Sequence, residues 1–345
     1  MSSTFYAMML AEQDSYRSCC VPQVAVHIVT YNNAATIEAC LQSVQNQSVA
    51  VELCIIDNAS ADNTVSRIQE MGYPVIMNMC NRGYSVAHNQ ALNCTHAPYI
   101  LTLNPDVRLE PDFIEQLLAI MTMRPTIGAG AGLLLRTDNL QIDGATVDSG
   151  GLYMTAAMRQ RLRYEDAEVS TVTDGVRPIF GPDGAAAFYR RAMLTDIALG
   201  DEVFDEDFFI HKEDVDICWR MQWRGWESLH VPDARAHHIR HFRPSERATV
   251  AAWIRCYALR NRYLLLLKNA DTGLLLLNLL PMLLYDSAIL LYVLLWEWSS
   301  LAAYRDVWLL RRRMLDKRRL IMQSRCSDAS DLRGWFNGQN NSPLS

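Results

Sequence analysis

Apolar runs alternate with segments of helical periodicity over the first 125 residues of the chain. Four mostly apolar runs predict buried strands of a parallel sheet, at residues 24–30, 51–56, 74–77 and 99–103. Between them, apolar residues at helical spacing predict helices at residues 34–46, 61–71 and 85–95. Ser60 is a plausible N-cap for the second of these helices. Strands that alternate with helices predict a doubly wound, mostly parallel α/β sheet.

The pattern becomes weaker after the fourth strand. Pro111 is predicted to be the first residue of a further helix, because an N–H at that position would have no partner within the helix and proline, which lacks one, loses no hydrogen bond there. Short strands separated by glycines follow, and the polar segment 159–176 is predicted to be a loop. Regular structure is predicted again over residues 204–226, with Gly225 ending a helix.

The composition changes after Ser245. A helix is predicted over residues 253–267, and residues 274–296 are almost wholly apolar except at Asn278, Pro281 and Asp286. A run of about 20 apolar residues can cross a bilayer, but a charge near its middle is costly. An interfacial or re-entrant helical hairpin, followed by the basic cluster 305–319, is therefore predicted on an anionic membrane surface. A helix packed on the rest of the chain is the alternative.

The overall composition narrows the class of protein. The 345 residues are 50% hydrophobic and carry a net charge of -6, which does not indicate a nucleic-acid-binding protein. Nine cysteines without a Cys-x-x-Cys pair indicate reduced thiols in the cytosol, with no disulfide framework or zinc site. Residues 1–22 lack a signal-peptide pattern and are predicted to be a flexible tail.

Polar residues collect where the predicted strands end. They are Thr30, Asn32, Asp57, Asn58, Gly83, Asn104 and Asp106. Ligands of open α/β sheets bind at this carboxyl edge, so these residues predict a nucleotide pocket. Asp106 is a hard oxygen ligand suited to Mg²⁺ or Mn²⁺ held with a diphosphate, although Asn-Pro-Asp can also simply end a strand. Neither a dinucleotide-binding Gly-x-Gly-x-x-Gly after the first strand nor a P-loop is present.

A second group of carboxylates lies at the start of the predicted helix within 204–226. Glu213 and Asp214 precede its apolar positions, where the helix dipole favours an ionised carboxylate. An ionised carboxylate suits a general base, and ordinary helix capping is the alternative. Asp216 and Arg220, at i and i+4, are predicted to form a structural ion pair.

Taken together, these motifs resemble the inverting GT-A glycosyltransferases of family 2, in particular the rhamnosyltransferase-like branch, over residues 23–243. The resemblance rests on the order and spacing of the motifs at residues 29–32, 56–60, 81–83 with Asn89, 103–106, 181–185 and 211–216. It implies a GT-A domain over 23–245, with a donor half at 23–125 and an acceptor half at 126–245. A helical membrane-associated region at 246–325 and a C-terminal tail at 326–345 complete the predicted organisation.

The resemblance also assigns roles to individual residues. It implies nucleotide-sugar contacts at Thr30, Tyr31, Asn32, Asp57, Asn58, Gly83, Asn89 and Asn104. Asp106 and His238 would approach Mg²⁺ or Mn²⁺, Asp214 would be the catalytic base, and Gly184, Ala185 and Glu213 would contact the acceptor. Asn104 replaces the first acid of the family's Asp-x-Asp-type motif, so one charged ligand is missing. The choice between His237 and His238 stays open at this stage.

The implied reaction is an inverting transfer of L-rhamnose from dTDP-rhamnose to a glycan or lipid-linked glycan, at the cytoplasmic face of the cell membrane. The product would belong to a cell-surface polysaccharide, and a homodimer is left open. A UDP- or GDP-sugar transferase and a non-catalytic nucleotide-sugar-binding scaffold are the alternatives. A methyltransferase is disfavoured, because the Gly-rich turn after Thr30 is missing.

Overall fold

The computed structural model describes residues 22–240, 247 and 249–337. The strands are β1 Val24–Thr30, β2 Val51–Asp57, β3 Ile76–Met77, β4 Tyr99–Leu103, β5 Val107–Leu109, β6 Ile127–Arg136, β7 Thr146–Ser149, β8 Leu152–Met154, β9 Gln160–Leu162, β10 Arg177–Pro178, β11 Ala186–Arg190 and β12 Glu227–His238. The α-helices are α1 Ile37–Gln45, α2 Thr64–Glu70, α3 Tyr84–Cys94, α4 Phe113–Met123, α5 Arg191–Asp196, α6 Glu213–Trp223, α7 Ala252–Asn269, α8 Thr272–Leu277, α9 Leu279–Trp296, α10 Ala302–Ser324 and α11 Ala329–Phe336. Residues 1–21 of the predicted N-terminal tail lie outside the described residues.

The central sheet confirms the predicted α/β class. Its strand order is β10-β12-β6-β11-β4-β1-β2-β3, with parallel pairing of β1 to β2 and β4, of β2 to β3 and of β12 to β6. Strand β11 is antiparallel between β4 and β6. The parallel strands place the ends of β1, β2 and β4 at one edge of the sheet, where the predicted polar residues follow them.

Strand β1 shows why the sheet is covered on both faces. Val26 and Ile28 pack against helices on one face, whereas Ala25 and Val29 belong to the apolar clusters of the opposite face. All of its residues are buried, which explains the uninterrupted apolar run in the sequence.

Several predicted boundaries need correction. Helix α2 begins at Thr64, and Ser60 is not its N-cap, because the Ser60 hydroxyl donates to Asp57 Oδ1 at 2.6 Å. Helix α4 begins at Phe113, so Pro111 precedes it. The segment 159–176 is not only a loop: β9 pairs with β8 in a separate two-stranded hairpin. At Ser60 a hydrogen bond to Asp57 takes the place of the cap, and over 160–162 pairing with β8 holds a strand in the polar segment.

The C-terminal helices share a core with the acceptor half. Trp219 of α6 lies in one apolar cluster with Leu264 of α7, Met314 of α10 and Phe336 of α11. The boundary predicted after residue 245 therefore does not separate two cores. Within the predicted C-terminal tail, residues 329–336 form α11 and pack on this cluster.

A buried ion network joins α7 to α6. The Lys268 ammonium is fully buried, 2.6 Å from Asp205 Oδ2 and 2.8 Å from Asp216. Asp216 also pairs with Arg220 at 2.8 Å, as the i, i+4 spacing predicted. Each buried charge in this network faces an opposite charge, which is the condition for tolerating such groups in a protein interior.

Candidate active site

A cavity of about 960 Å³ opens at the carboxyl edge of the sheet. On one side it is lined by Asn104 and Asp106, which follow β4, and by His238 at the end of β12. On the other side lie Glu213 and Asp214, the first two residues of α6. The fold thus brings two motifs more than 100 residues apart in sequence to one cavity.

Asp214 is held by backbone donors from two segments. Its Oδ2 accepts a hydrogen bond from the Gly184 amide at 3.1 Å, and its Oδ1 accepts one from the Val215 amide at 2.8 Å. A Cβ atom at position 184 would lie 3.2 Å from Asp214 Cβ, so only glycine fits here without a displacement. Gly184 and Ala185 both line the cavity, and the Ala185 carbonyl accepts from the Asn104 amide at 2.8 Å.

Burial perturbs both carboxyl groups at the start of α6. Burial and the charge of Asp214 raise the pKa of Glu213 to about 8. Burial and the charge of Asp183 also raise the pKa of Asp214, against the opposing hydrogen bonds from Val215 and Gly184. The favourable helix dipole predicted from sequence is therefore outweighed by desolvation. The raised pKa of Asp214 brings it closer to that of a useful proton acceptor.

His238 links the sheet edge to a buried carboxylate. Its Nε2 is 3.6 Å from Asp106 Oδ1, and its Nδ1 is 2.8 Å from Asp148 Oδ2. Burial disfavours the charged imidazole, but hydrogen bonds to Asp106 and Asp148 outweigh it and raise the pKa of His238 to about 9. Arg240 donates to both Asp148 and Asp183 at 2.6 Å, which fixes the wall of the cavity behind His238.

His237 points to different partners. Its Nδ1 accepts from the Gly144 amide at 3.0 Å, and its Nε2 lies 3.3 Å from Glu110 Oε1. It does not line the cavity, whereas the adjacent His238 does. The alternation of side chains along β12 thus turns His238, and not His237, toward the cavity.

The donor-half residues form a hydrogen-bonded frame at the ends of β1 and β2. Thr30 Oγ1 donates to Asp57 Oδ1 at 2.7 Å, and the Ser60 amide donates to Asp57 Oδ2 at 2.8 Å. Asn32, at a positive φ of 58°, accepts from the Ala61 amide at 2.8 Å. Tyr31 is 47% exposed beside this frame, available to a ligand from solvent.

Three other predicted donor contacts are used within the protein. Asn58 donates to the Gly83 carbonyl at 3.1 Å. Gly83 has a φ of 87°, and a Cβ there would lie 2.5 Å from the Phe209 ring. Asn89 bonds both the carbonyl and the amide of Phe204, at 2.8 and 2.9 Å, and does not line the cavity. These side chains shape the site from behind, so their predicted contacts with a nucleotide sugar stay predictions.

The side chains around Asp106 fit a metal ion that is held in part by the phosphates of the substrate. Among the described residues, no group of three or more His, Cys, Asp or Glu side chains could enclose a metal ion. Asp106 and His238 nevertheless face the cavity together. Mg²⁺ and Mn²⁺ suit such a site, because one or two protein ligands are commonly completed by substrate phosphates and water.

A strained loop carries the two acidic residues of α6. Phe209, His211 and Lys212 have positive φ angles of 63°, 68° and 72°. Such angles cost a non-glycine residue roughly 1–2 kcal/mol each. Backbone strain of this kind persists only where neighbouring groups hold it in place.

Asn261 of α7 holds this loop, a role that the sequence did not predict. Its Nδ2 lies 2.9, 2.7 and 2.8 Å from the carbonyl oxygens of Phe208, Ile210 and His211. Arg260 adds a hydrogen bond of 2.5 Å to the Asp207 carbonyl. Asn261 lies within the region 246–325 that the resemblance assigns to membrane association, and no local pattern indicates which backbone its side chain will meet.

Comparison with known proteins supports the resemblance. Residues 25–174 match the family Glycosyl transferase family 2. An N-acetylglucosaminyl-diphospho-decaprenol L-rhamnosyltransferase of Mycobacterium tuberculosis is 27% identical over 253 residues, which are 64% of this chain and 76% of that protein. A hyaluronan synthase of Pasteurella multocida is 33% identical over 150 residues, but the matched part is 42% of this chain and only 15% of the synthase.

Solved structures match the fold over most of the chain. S. aureus TarS 1–349 in complex with UDP gives a TM-score of 0.54 at 15% identity, covering 93% of this chain and 92% of that one. The mannosyltransferase PcManGT from Pyrobaculum calidifontis, in complex with GDP-Man and Mn²⁺, gives a TM-score of 0.51 at 15% identity, covering 93% and 94%. At this identity the likeness concerns the fold alone.

Proposed function

We propose that this chain, whose residues 25–174 match Glycosyl transferase family 2 and whose fold is shared with S. aureus TarS, transfers a sugar from a nucleoside diphosphate to a glycan acceptor with inversion. The observation that carries the proposal is one cavity that joins Asp106 and His238 at the sheet edge to Asp214 at the start of α6. A diphosphate site and a proton acceptor must lie on opposite sides of a sugar for a single displacement. The cavity provides one group of each kind on its two sides.

In the proposed reaction Asp214 removes the proton of the acceptor hydroxyl. The acceptor oxygen forms a bond to the anomeric carbon while the bond from that carbon to the donor phosphate oxygen breaks. The electron pair of that bond leaves with the nucleoside diphosphate, and the anomeric configuration inverts. Gly184 and Val215 hold Asp214 in place for this step. A divalent cation held by Asp106, and by His238 once its proton is released, would offset the charge that develops on the diphosphate.

The proposed donor is dTDP-L-rhamnose, because a rhamnosyltransferase aligns with 64% of this chain. UDP- and GDP-sugars are the alternatives, since the fold is shared with proteins that bind UDP and GDP-Man. Titration calorimetry with a panel of dTDP-, UDP- and GDP-sugars, with and without Mn²⁺, identifies the donor. If the protein binds a nucleotide sugar but releases no nucleoside diphosphate with any of the glycan acceptors tested, the non-catalytic scaffold is favoured instead.

Asp106→Ala is expected to weaken donor binding at least tenfold in Mn²⁺ and to leave binding in a chelator unchanged. The reason is that Asp106 is the carboxylate of the Asn104-Pro105-Asp106 turn that faces the cavity. Even residues one layer behind a metal ligand typically change metal affinity by about 10–100-fold. The measurement is donor affinity by calorimetry in both conditions.

The matched control is Asp112→Ala, a carboxylate just before α4 that does not line the cavity. It should bind the donor as the wild type does in both conditions. Equal donor affinities for wild type and Asp106→Ala in Mn²⁺ would exclude Asp106 from the metal site.

We also propose that α9 holds the enzyme on the membrane surface, at the cytoplasmic face. Among the described residues, α9 is the one helix long and apolar enough to cross a bilayer, and only 6% of it is buried. Its middle, however, is tied to the rest of the protein, because Asp286 pairs with Arg262 of α7 at 2.7 Å. Asp286, the charge near the middle of this apolar run, thus has an ionic partner in α7. The opposite face exposes large apolar side chains, including Leu284 at 65% and Leu291 at 57%. An interfacial position satisfies both faces.

Replacing both Leu284 and Leu291 by Lys is expected to move most of the enzyme from the membrane fraction to the soluble fraction. Each substitution puts a charge where the apolar face would enter lipid. Membrane flotation of the full chain measures the distribution, with Met123→Lys as a control at an apolar side chain that is 72% exposed elsewhere. A wild-type chain that is wholly soluble, or one that resists alkaline carbonate as an integral protein does, would contradict the proposal.

A further inference from the structure

The cavity continues beyond the carboxylates to a second, basic end. Its wall there consists of the β8–β9 hairpin on one side and of α7 and α9 on the other. The cationic lining residues of this region are Arg159, Arg161, Lys212 and Arg262. The proposed mechanism uses none of them.

Two of these cations form no salt bridge in the described part of the chain. Neither Arg159 nor Arg161 forms a salt bridge there, although both are partly buried and line the cavity. Burial and the nearby charges of Arg161 and Arg262 lower the pKa of Arg159, while Tyr285 and Glu165 oppose this. Cations that repel one another in a partly buried wall indicate a place where a bound anion would be stabilised.

The geometry around this end is built and not incidental. Arg262 donates to the carbonyls of Ala157 and Met158, at 2.9 and 3.2 Å, and so fixes the turn of the hairpin. The Arg159 and Arg262 guanidinium carbons lie 5.4 and 4.7 Å from the centre of the Tyr285 ring. Cation–π contacts of this kind hold the two side chains in place without consuming their hydrogen-bond donors.

An apolar wall begins next to these cations. Ile254 and Leu259 of α7 and Ile289, Tyr292 and Val293 of α9 line the same cavity. The other face of α9 is the exposed apolar surface assigned above to lipid. The cavity therefore connects a cationic site directly with the helix that would lie in the membrane.

Resting on the proposed function, we infer that Arg159 and Arg161 bind a phosphate group of a lipid-linked acceptor, whose hydrocarbon chain runs along α9. A guanidinium binds phosphate with two parallel hydrogen bonds, which suits a headgroup at this depth. The apolar wall receives the first part of the chain, and the exposed face of α9 continues the path to the membrane. A phosphate-free polysaccharide would use neither feature.

The test measures, by calorimetry, the binding of farnesyl diphosphate to the full-length protein in detergent micelles. A chelator and an excess of thymidine, uridine and guanosine diphosphates are present, so that the donor side cannot account for the binding. We expect the double variant Arg159→Ala with Arg161→Ala to bind farnesyl diphosphate at least tenfold more weakly than the wild type. Loss of about one charge-assisted hydrogen bond accounts for a factor of this size. Farnesol and inorganic pyrophosphate, each carrying half of the recognised chemistry, should both bind more weakly than farnesyl diphosphate.

The matched control is Arg67→Ala with Arg124→Ala, two arginines outside the cavity lining whose side chains are 40% and 54% exposed. It should bind the probe as the wild type does. Arg159→Lys with Arg161→Lys keeps the charges and should retain part of the affinity, which covers the case in which the alanine variant does not fold. Unchanged binding in the alanine variant, or displacement of the probe by the nucleoside diphosphates, would overturn the inference.

The two proposals fail separately. A chain that binds the probe through Arg159 and Arg161 but transfers no sugar contradicts the proposed function alone. A chain that transfers sugar to a phosphate-free glycan and does not bind the probe contradicts the phosphate site alone.

Discussion

Asp214→Asn is expected to lower the rate of sugar transfer by about 10²–10⁴-fold, the usual contribution of a general base. The amide cannot take the proton of the acceptor hydroxyl. Donor binding should change little, because the predicted donor contacts lie at the ends of β1, β2 and β4. Initial rates at saturating donor, together with donor affinity by calorimetry, separate the two effects.

The neighbouring Glu213 provides the comparison. Its pKa of about 8 keeps most of this carboxyl protonated at pH 7, and Glu213→Gln imitates that neutral form. We therefore expect a much smaller loss of rate than for Asp214→Asn, although both side chains line the cavity. Near-normal turnover by Asp214→Asn, or an equal loss in the two variants, would remove Asp214 from its assigned role.

Asn261→Leu is expected to destabilise the protein by about 2 kcal/mol and to lower kcat. The leucine is similar in size but leaves the carbonyls of Ile210 and His211 without a donor, whereas the Phe208 carbonyl still accepts from Arg260 and from the Ile210 amide. An unsatisfied buried carbonyl costs about 1–3 kcal/mol, and partial access to water should keep the total near the lower limit. The freed loop would no longer hold its positive φ angles, so Asp214 would lose its fixed position at the start of α6. Chemical denaturation and steady-state kinetics measure the two effects.

Asn278→Ala is the matched control for this substitution. Asn278 is also buried, but its amide bonds to a single carbonyl, that of Leu274 one turn earlier at 2.9 Å. The control should lose about 1 kcal/mol of stability and keep its kcat. If Asn261→Leu loses stability but retains wild-type kcat, Asn261 only supports the fold and does not position the base.

The sequence by itself determined the parts of the molecule that depend on local pattern. The apolar runs at 24–30 and 99–103 fixed two central strands, because a strand buried on both faces leaves a continuous signal. The strand ends in turn located Asp57 and Asp106 at one edge, since parallel strands must end there together. The ion pair of Asp216 with Arg220 followed from helical spacing alone.

Only the tertiary structure decided which of two adjacent residues faces the cavity. His237 and His238 are chemically identical, and the register of β12 against β5 and β6 turns His238 toward Asp106. The pKa of Glu213 was equally out of reach, because it depends on burial and on the charge of Asp214 beside it. Neither the direction in which His238 points nor the pKa of Glu213 is set by the local sequence alone.

The loop before α6 gives the clearest physical reason for this division. Phe209 and Lys212 are not residues that favour positive φ, so the sequence gives no turn signal at these two positions. Part of the energy that holds them comes from Asn261, about 50 residues further along the chain, in a helix predicted from sequence to belong to a separate membrane region. Contacts between distant segments compensate local strain, and the position of Asp214 depends on those contacts.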